Sequence, residues 1–156
     1  MHRYPAALTF VFAAFLLRAP HAHAQTLEAA FFGGAGTYEN EFGSGSVQSL
    51  GLGLEVLLRP QLALGGGLGV LGSGVAPTAT VALRLQTTKR QALVPFVLAG
   101  LGWLSDEVTF GSRCYGGGLL YWPTRRVGLR VEYRRFERTS DGWEHFSLGR
   151  AAVTIR

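Results

Sequence analysis

The stretch "SLGLGLEVLLR" (49–59) alternates at period two, with Leu50, Leu52, Leu54, Val56 and Leu58 on one side and Ser49, Gly51, Gly53 and Glu55 on the other. Such alternation is the pattern of a β-strand with two unlike faces. The second face is the constraint. A strand whose leucines enter a water-soluble core needs polar side chains outside, and glycines with one glutamate make a poor water-facing surface. The same face suits a narrow interior in which small residues leave room for an occasional charge, while the leucines meet an apolar solvent.

Other segments repeat the scheme. "LALGGGLGVLG" (62–72) sets Leu62, Leu64, Leu68 and Val70 against Ala63, Gly65, Gly67 and Gly69. Residues 76–87 set Ala79, Val81, Leu83 and Leu85 against Thr78, Thr80, Ala82, Arg84 and Gln86. In "VGLRVEYRRFE" (127–137), Val127, Leu129, Val131 and Tyr133 oppose Gly128, Arg130, Glu132 and Arg134. Turn-prone residues divide the chain into eight segments, at 28–38, 47–59, 62–72, 76–87, 91–104, 114–123, 126–137 and 143–155. The first, fifth and sixth carry apolar residues or glycines on both faces, so their parity stays open. The eighth opposes Ala151, Val153 and Ile155 to Arg150, Ala152, Thr154 and Arg156, with Phe146 and Leu148 on the Arg150 side.

Connections read as short at 59–61, 73–76, 88–91 and 123–126 and longer at 39–46, 105–113 and 137–143, the one-sided arrangement of an antiparallel meander with the join after the third segment as its short exception. Eight such strands close most simply into a ring with no exposed edge. The expected fold is all-β: an eight-stranded antiparallel up-and-down transmembrane β-barrel, preceded by a cleavable signal peptide. Trp103, Tyr121, Trp122, Tyr133 and Trp143 lie near strand ends, where an interfacial aromatic girdle would sit.

The signal peptide is read from residues 1–24. His2 and Arg3 open it, Ala6 to Leu17 form a short apolar core, and "AHA" fits the small-x-small cleavage rule, placing the cut between Ala24 and Gln25. The barrel domain is then 25–156. It keeps 13 Lys+Arg (15 minus Arg3 and Arg18) against 10 Asp+Glu, a formal charge of +3. The arginines are scattered and Lys89 is the lone lysine, not the clustered basic stripe that a phosphate backbone demands, so no nucleic-acid partner is expected. Cys114 is the single cysteine, which excludes an intrachain disulfide. Past the signal no apolar run reaches the ~18 residues of a transmembrane helix.

"VPFVLAGLGW" (94–103), "LRVEYRRF" (129–136) and the ending "SLGRAAVTIR" resemble strands of the OmpA-like family of small outer-membrane β-barrel domains. The resemblance spans the chain after the signal peptide and describes strand architecture rather than chemistry. It implies an outer-membrane location in a Gram-negative envelope, contact with outer-membrane lipid, and insertion by the barrel assembly machinery. That family ends in an aromatic residue, whereas Arg156 stands here.

In such a barrel Glu55, Arg84, Arg130, Glu132, Arg134 and Arg150 fall on inward faces and form a barrel-interior charge network. Buried charges are costly unless paired, so a closed network plugs the lumen, leaving at most a narrow pore for small ions. The surplus of Arg over Glu favours anions. Its alternative is a secreted lipocalin-like barrel with an apolar interior for a small hydrophobic ligand. A third reading is enzymatic. His145 and Ser147 share one face and resemble, at those two positions only, the His-x-Ser of outer-membrane lipid A 3-O-deacylases, with Glu144 or Glu132 to orient the His. The remainder of that pattern is missing, so no catalytic role is assigned. One His and one Cys remain after signal removal, without metal-ligand spacing, and "GAG" and "GGG" open no helix, so no metal or other cofactor is expected.

Overall fold

The computed structural model describes residues 26–40, 43–86, 92–105, 109–139 and 145–156. The signal peptide with its Ala24–Gln25 junction, and Lys89, Trp143 and Glu144, lie outside the described residues. Eight strands follow in order: β1 Thr26–Asn40, β2 Gly43–Arg59, β3 Leu62–Leu71, β4 Gly74–Arg84, β5 Leu93–Ser105, β6 Thr109–Tyr121, β7 Val127–Arg138 and β8 His145–Ile155. Each pairs antiparallel with the next, and β1 closes on β8 from Ala29↔Ile155 to Glu39↔His145. The result is the expected up-and-down barrel.

The expected alternation of loop lengths does not hold. β1 and β2 pair as far as Asn40↔Gly43 and β5 and β6 as far as Ser105↔Thr109, so most of 39–46 and 105–113 is strand. The longest interval between strands is 85–92, at the end expected to be short. Ser, Asn and Asp favour turns through local side-chain hydrogen bonds, and Gly through its access to positive φ. A closed ladder offers every backbone N–H and C=O a partner instead, and that outweighs local preference.

Barrel closure settles the three open parities. Glu28 and Phe32 of β1 point inward while Leu27 and Phe31 point out. In β5, Val94, Phe96 and Leu98 are buried between exposed Leu93, Val97 and Leu101; in β6, Ser112, Cys114 and Leu120 are buried between exposed Tyr115, Leu119 and Tyr121. Phe146 and Leu148 of β8 share the inner face with Arg150.

The outer surface is an apolar belt. Leu52 is 62% exposed and Val131 63%, and Leu50, Leu54, Leu68, Val81, Leu83 and Val153 are exposed beside them. Water-soluble monomers rarely show one contiguous apolar patch above about 300–600 Å². A belt running round all eight strands far exceeds that and suits hydrocarbon, where every backbone polar group must be paired internally, as closure ensures. The lipocalin-like alternative needs a polar outer face and an apolar ligand cavity; the outer face is apolar and the middle of the lumen is filled by charged side chains.

Polar groups take over beyond the belt. The exposed Tyr115 hydroxyl donates to Glu137 Oε1 at 2.6 Å and the Tyr133 hydroxyl to Ser147 Oγ at 2.9 Å. Both phenols thus anchor their polar tips at the belt's margin, and Tyr121 is exposed at the opposite end of β6. Trp122 departs from the girdle expected of it. It packs against interior residues with the Arg156 guanidinium 3.8 Å above its ring, because it continues the alternation of β6 past buried Leu120 and exposed Tyr121, its backbone N–H still donating to the Ala92 carbonyl at 2.7 Å.

The interior is graded. Val47, Leu71, Phe136 and Phe146 fill the end where β1–β2 and β7–β8 join; Ala63, Val94 and Leu120 fill the other, and charges occupy the middle. Glycine makes room for them. A Cβ at Gly65 would stand 2.9 Å from Glu55 Cγ, and one at Gly118 would stand 2.1 Å from the Val131 carbonyl oxygen and 3.0 Å from Glu132 Cβ. At outward Gly149 it would meet nothing nearer than the Ala35 carbonyl oxygen at 3.8 Å. Gly118→Ala is therefore expected to lower unfolding stability in detergent by about 1–3 kcal/mol, as overpacking does. Gly149→Ala should match the wild type or exceed it in the same denaturant titration, and equal losses at the two positions would contradict the inward assignment.

Candidate functional site

The buried charged side chains form one connected chain along the lumen. Arg156 Nε donates to Glu28 Oε1 at 2.6 Å. Arg84 follows, donating through Nη1 to Glu28 Oε1 at 3.1 Å and through Nη2 to Glu28 Oε2 at 2.7 Å and Glu55 Oε2 at 2.6 Å. Arg130 bonds the other oxygen of Glu55 through Nη1, and its Nε reaches Glu132 Oε2 at 2.8 Å. Glu132 also accepts from Arg134 Nε and from Arg150 Nε, each at 2.7 Å, with Arg150 Nη2 adding a further bond.

Strand register explains who meets whom. Glu28 and Glu55 lie directly opposite each other on β1 and β2, where like charges destabilise. Arg84, from β4 across the lumen, sets its planar fork between them, a bridge that a lysine's point charge cannot reproduce. Glu132 and Arg150 are direct cross-strand partners on β7 and β8. Arg130 and Arg134 flank Glu132 two residues away on the same face, so three guanidiniums converge on one carboxylate.

Aromatic rings complete the packing. The Arg130 guanidinium carbon lies 4.2 Å from the centre of the Phe96 ring and that of Arg150 lies 4.0 Å from Phe32. Arginine tolerates such stacking because its guanidinium is weakly hydrated and planar.

All six residues assigned to the interior network from sequence are buried and brought into one cluster. Two members were missed. Glu28, 1% exposed, sits in the segment whose parity stayed open, and Arg156 was set on the Arg150 side of the eighth segment but not counted in the network. One signal was available for Glu28: an ionisable residue in an otherwise apolar membrane strand belongs on the inner face, which also fixes the facing of its whole strand.

His145 and Ser147 take the outer face of β8 near the polar margin. The carboxylate beside His145 Nε2 is Glu39, at 3.2 Å, from the neighbouring strand. Glu132, offered from sequence as an orienting acid, is committed to three arginines inside the barrel wall. Ser147 Oγ accepts from Tyr133. Among the described residues no group of three or more His, Cys, Asp and Glu is placed to hold a metal ion.

No protein-family model matches the sequence, and no curated protein matches it. Solved structures do. Neisserial surface protein A (NspA) superposes with a TM-score of 0.67 at 14% identity, over 85% of this chain and 99% of that one. The N-terminal β-barrel domain of Pseudomonas aeruginosa OprF gives 0.58 at 15% identity over 81% and 97%. Ail, the attachment invasion locus protein of Yersinia pestis, gives 0.55 at 12% identity over 86% and 100%. The fold is that of the small eight-stranded outer-membrane β-barrels.

The network yields a stability prediction. Glu132→Ala leaves the buried Arg134 and Arg150 without their carboxylate and Arg130 with Glu55 alone, and is expected to cost about 3–5 kcal/mol in detergent. Glu137→Ala removes an exterior carboxylate whose side chain is 43% exposed and should cost about 0–1 kcal/mol. Arg84→Met leaves Glu28 and Glu55 facing each other and belongs with the larger loss; adding Glu28→Gln should recover part of it. Denaturant unfolding of the four proteins checks the order, and a Glu132→Ala curve coincident with that of Glu137→Ala would refute it.

Proposed function

We propose that this chain is an OmpA-like outer-membrane β-barrel whose lumen is closed by its ion-pair chain, serving a structural or weak-interaction role rather than porin-scale transport. One observation carries the reading: the barrel is inverted, with a continuous apolar belt outside and a fully paired carboxylate ladder within. The belt's partner is outer-membrane lipid. Residues 1–24 direct export, and the barrel assembly machinery inserts the chain.

Closure follows from geometry and charge together. Arginines and glutamates from β1, β2, β4, β7 and β8 meet across the lumen, and apolar side chains fill both ends of it. An ion crossing would have to part salt bridges that are nearly dry, so at most a narrow path for small ions remains.

Two measurements test this. Native protein should fractionate with the outer membrane and migrate differently on SDS gels before and after boiling, as closed membrane barrels do; recovery in the soluble fraction without a shift would end the membrane reading. In planar bilayers the wild type should give no porin-sized conductance step. Large, steady steps would leave the barrel standing and overturn its closure.

A further inference from the structure

Charge is sorted along the barrel axis. Of the ten Asp and Glu in the sequence, Glu28, Glu55 and Glu132 lie in the lumen, and all the others fall in or beside the β1–β2, β5–β6 and β7–β8 joins. The opposite rim, where β1 begins and β8 ends, is made differently. Its joins, 60–61, 85–92 and 122–126, hold no Asp or Glu, while Arg59, Arg125 and Arg126 stand there, with Lys89 and Arg90 in the sequence between β4 and β5. Arg59, Arg125 and Arg126 are exposed. The carboxylates nearest to them, Glu28 and Glu55, are already taken inside the barrel by Arg84, Arg130 and Arg156. Among the described residues, none is left to neutralise this rim.

The collar sits where the apolar belt stops. Leu58, 44% exposed, precedes Arg59, and Val127, 37% exposed, follows Arg126. Cationic heads that begin at the last lipid-facing residues lie at the depth of lipid headgroups, with their stems along the apolar surface. The β6–β7 turn is held in place there. Thr124 Oγ1 accepts from the backbone N–H of Arg126 at 3.3 Å and of Val127 at 2.9 Å, and the Arg126 carbonyl accepts from the Arg156 backbone N–H at 2.9 Å. A guanidinium presented in this way can meet a phosphate through two parallel N–H bonds.

We propose that Arg59, Arg125 and Arg126 form a collar that binds the headgroup phosphates of anionic phospholipids, of the phosphatidylglycerol class, in the leaflet around this rim. A zwitterionic headgroup offsets its own phosphate and is held less well. Thr26 and Ile155 both lie at the collar rim, so a chain entering from the periplasm crosses with the hairpin tips of the other rim and leaves the collar in the phospholipid leaflet on its side of entry. The proposal rests on the outer-membrane reading above and adds which lipid is held and by which rim.

The test uses the full chain in phosphatidylcholine vesicles carrying a trace of spin-labelled phosphatidylglycerol or spin-labelled phosphatidylcholine. The fraction of probe immobilised at the protein surface should favour phosphatidylglycerol by roughly twofold or more averaged round the barrel, since each arginine adds about fivefold only at the lipid it touches. Raising sodium chloride to about 1 M should erase most of that preference, as screening does for exposed charges. Arg59→Gln/Arg125→Gln/Arg126→Gln should lose the preference and keep the boiling-dependent gel shift. Arg113→Gln/Arg135→Gln/Arg138→Gln makes the same charge change at the other rim and should retain both. An undiminished preference in the collar variant, or equal losses in the two variants, would overturn the proposal. So would full suppression by free glycerol phosphate at constant ionic strength, which would assign the collar to a soluble anion. A wild type that shows the gel shift but no preference sinks this inference alone, whereas a wild type without the shift sinks the membrane reading beneath it.

Discussion

Charge inside a narrow barrel has to be neutralised by the barrel's own wall, and the interior follows from that requirement. Glu28 and Glu55 are placed opposite each other by the β1–β2 register, an arrangement that would repel if left alone. Arg84 reaches them from β4, Arg130 passes the connection on to Glu132, and Glu132 gathers Arg134 and Arg150. Arg130 and Arg134 meet Glu132 within β7, but the Glu28–Arg84, Glu55–Arg84, Glu55–Arg130 and Glu132–Arg150 pairs join different strands and form only when the sheet has closed with this register. The ion-pair chain is thus both filling and lock.

Glycine is what makes that filling fit. An eight-stranded barrel leaves an interior just wide enough for side chains, and an arginine spanning it needs bare backbone beside it. Gly65 stands by Glu55 and Gly118 by Glu132 for that reason. The exterior answers a different demand. Leucines and valines at every second position contribute nothing to the interior, and their exposure is tolerable because the surrounding solvent is hydrocarbon. The same alternation that would mark a soluble strand is read inside out.

Eight strands, their order and the inward facing of β2, β3, β4 and β7 were legible because their two faces differ sharply in composition. β1, β5 and β6 were not, since Phe32, Val94, Phe96, Leu98 and Leu120 fill the interior with the same residue types that cover the outside. Parity read along a single strand has no power where both faces are apolar. The hairpin ends were misjudged for a related reason: Ser44, Gly45 and Ser46 look like a turn, yet they pair with Glu39, Tyr38 and Thr37. Trp122 was placed in the girdle by its position in the chain, but alternation after exposed Tyr121 turns it inward, and its backbone N–H still bonds Ala92 of the neighbouring segment.

The sequence by itself determined that the chain forms two-faced strands, that one face is oily and the other small with rare charges, and that those charges belong together. Periodicity is a local property, and side-chain direction in a strand is fixed by the backbone alone. Only the tertiary structure decided that Glu28 and Arg156 join the network, that Arg84 bridges two carboxylates, and that Arg130 joins Glu55 to Glu132. These depend on strand register and on distances across the lumen, which couple residues as far apart as Glu28 and Arg156. No pattern along one strand carries that information.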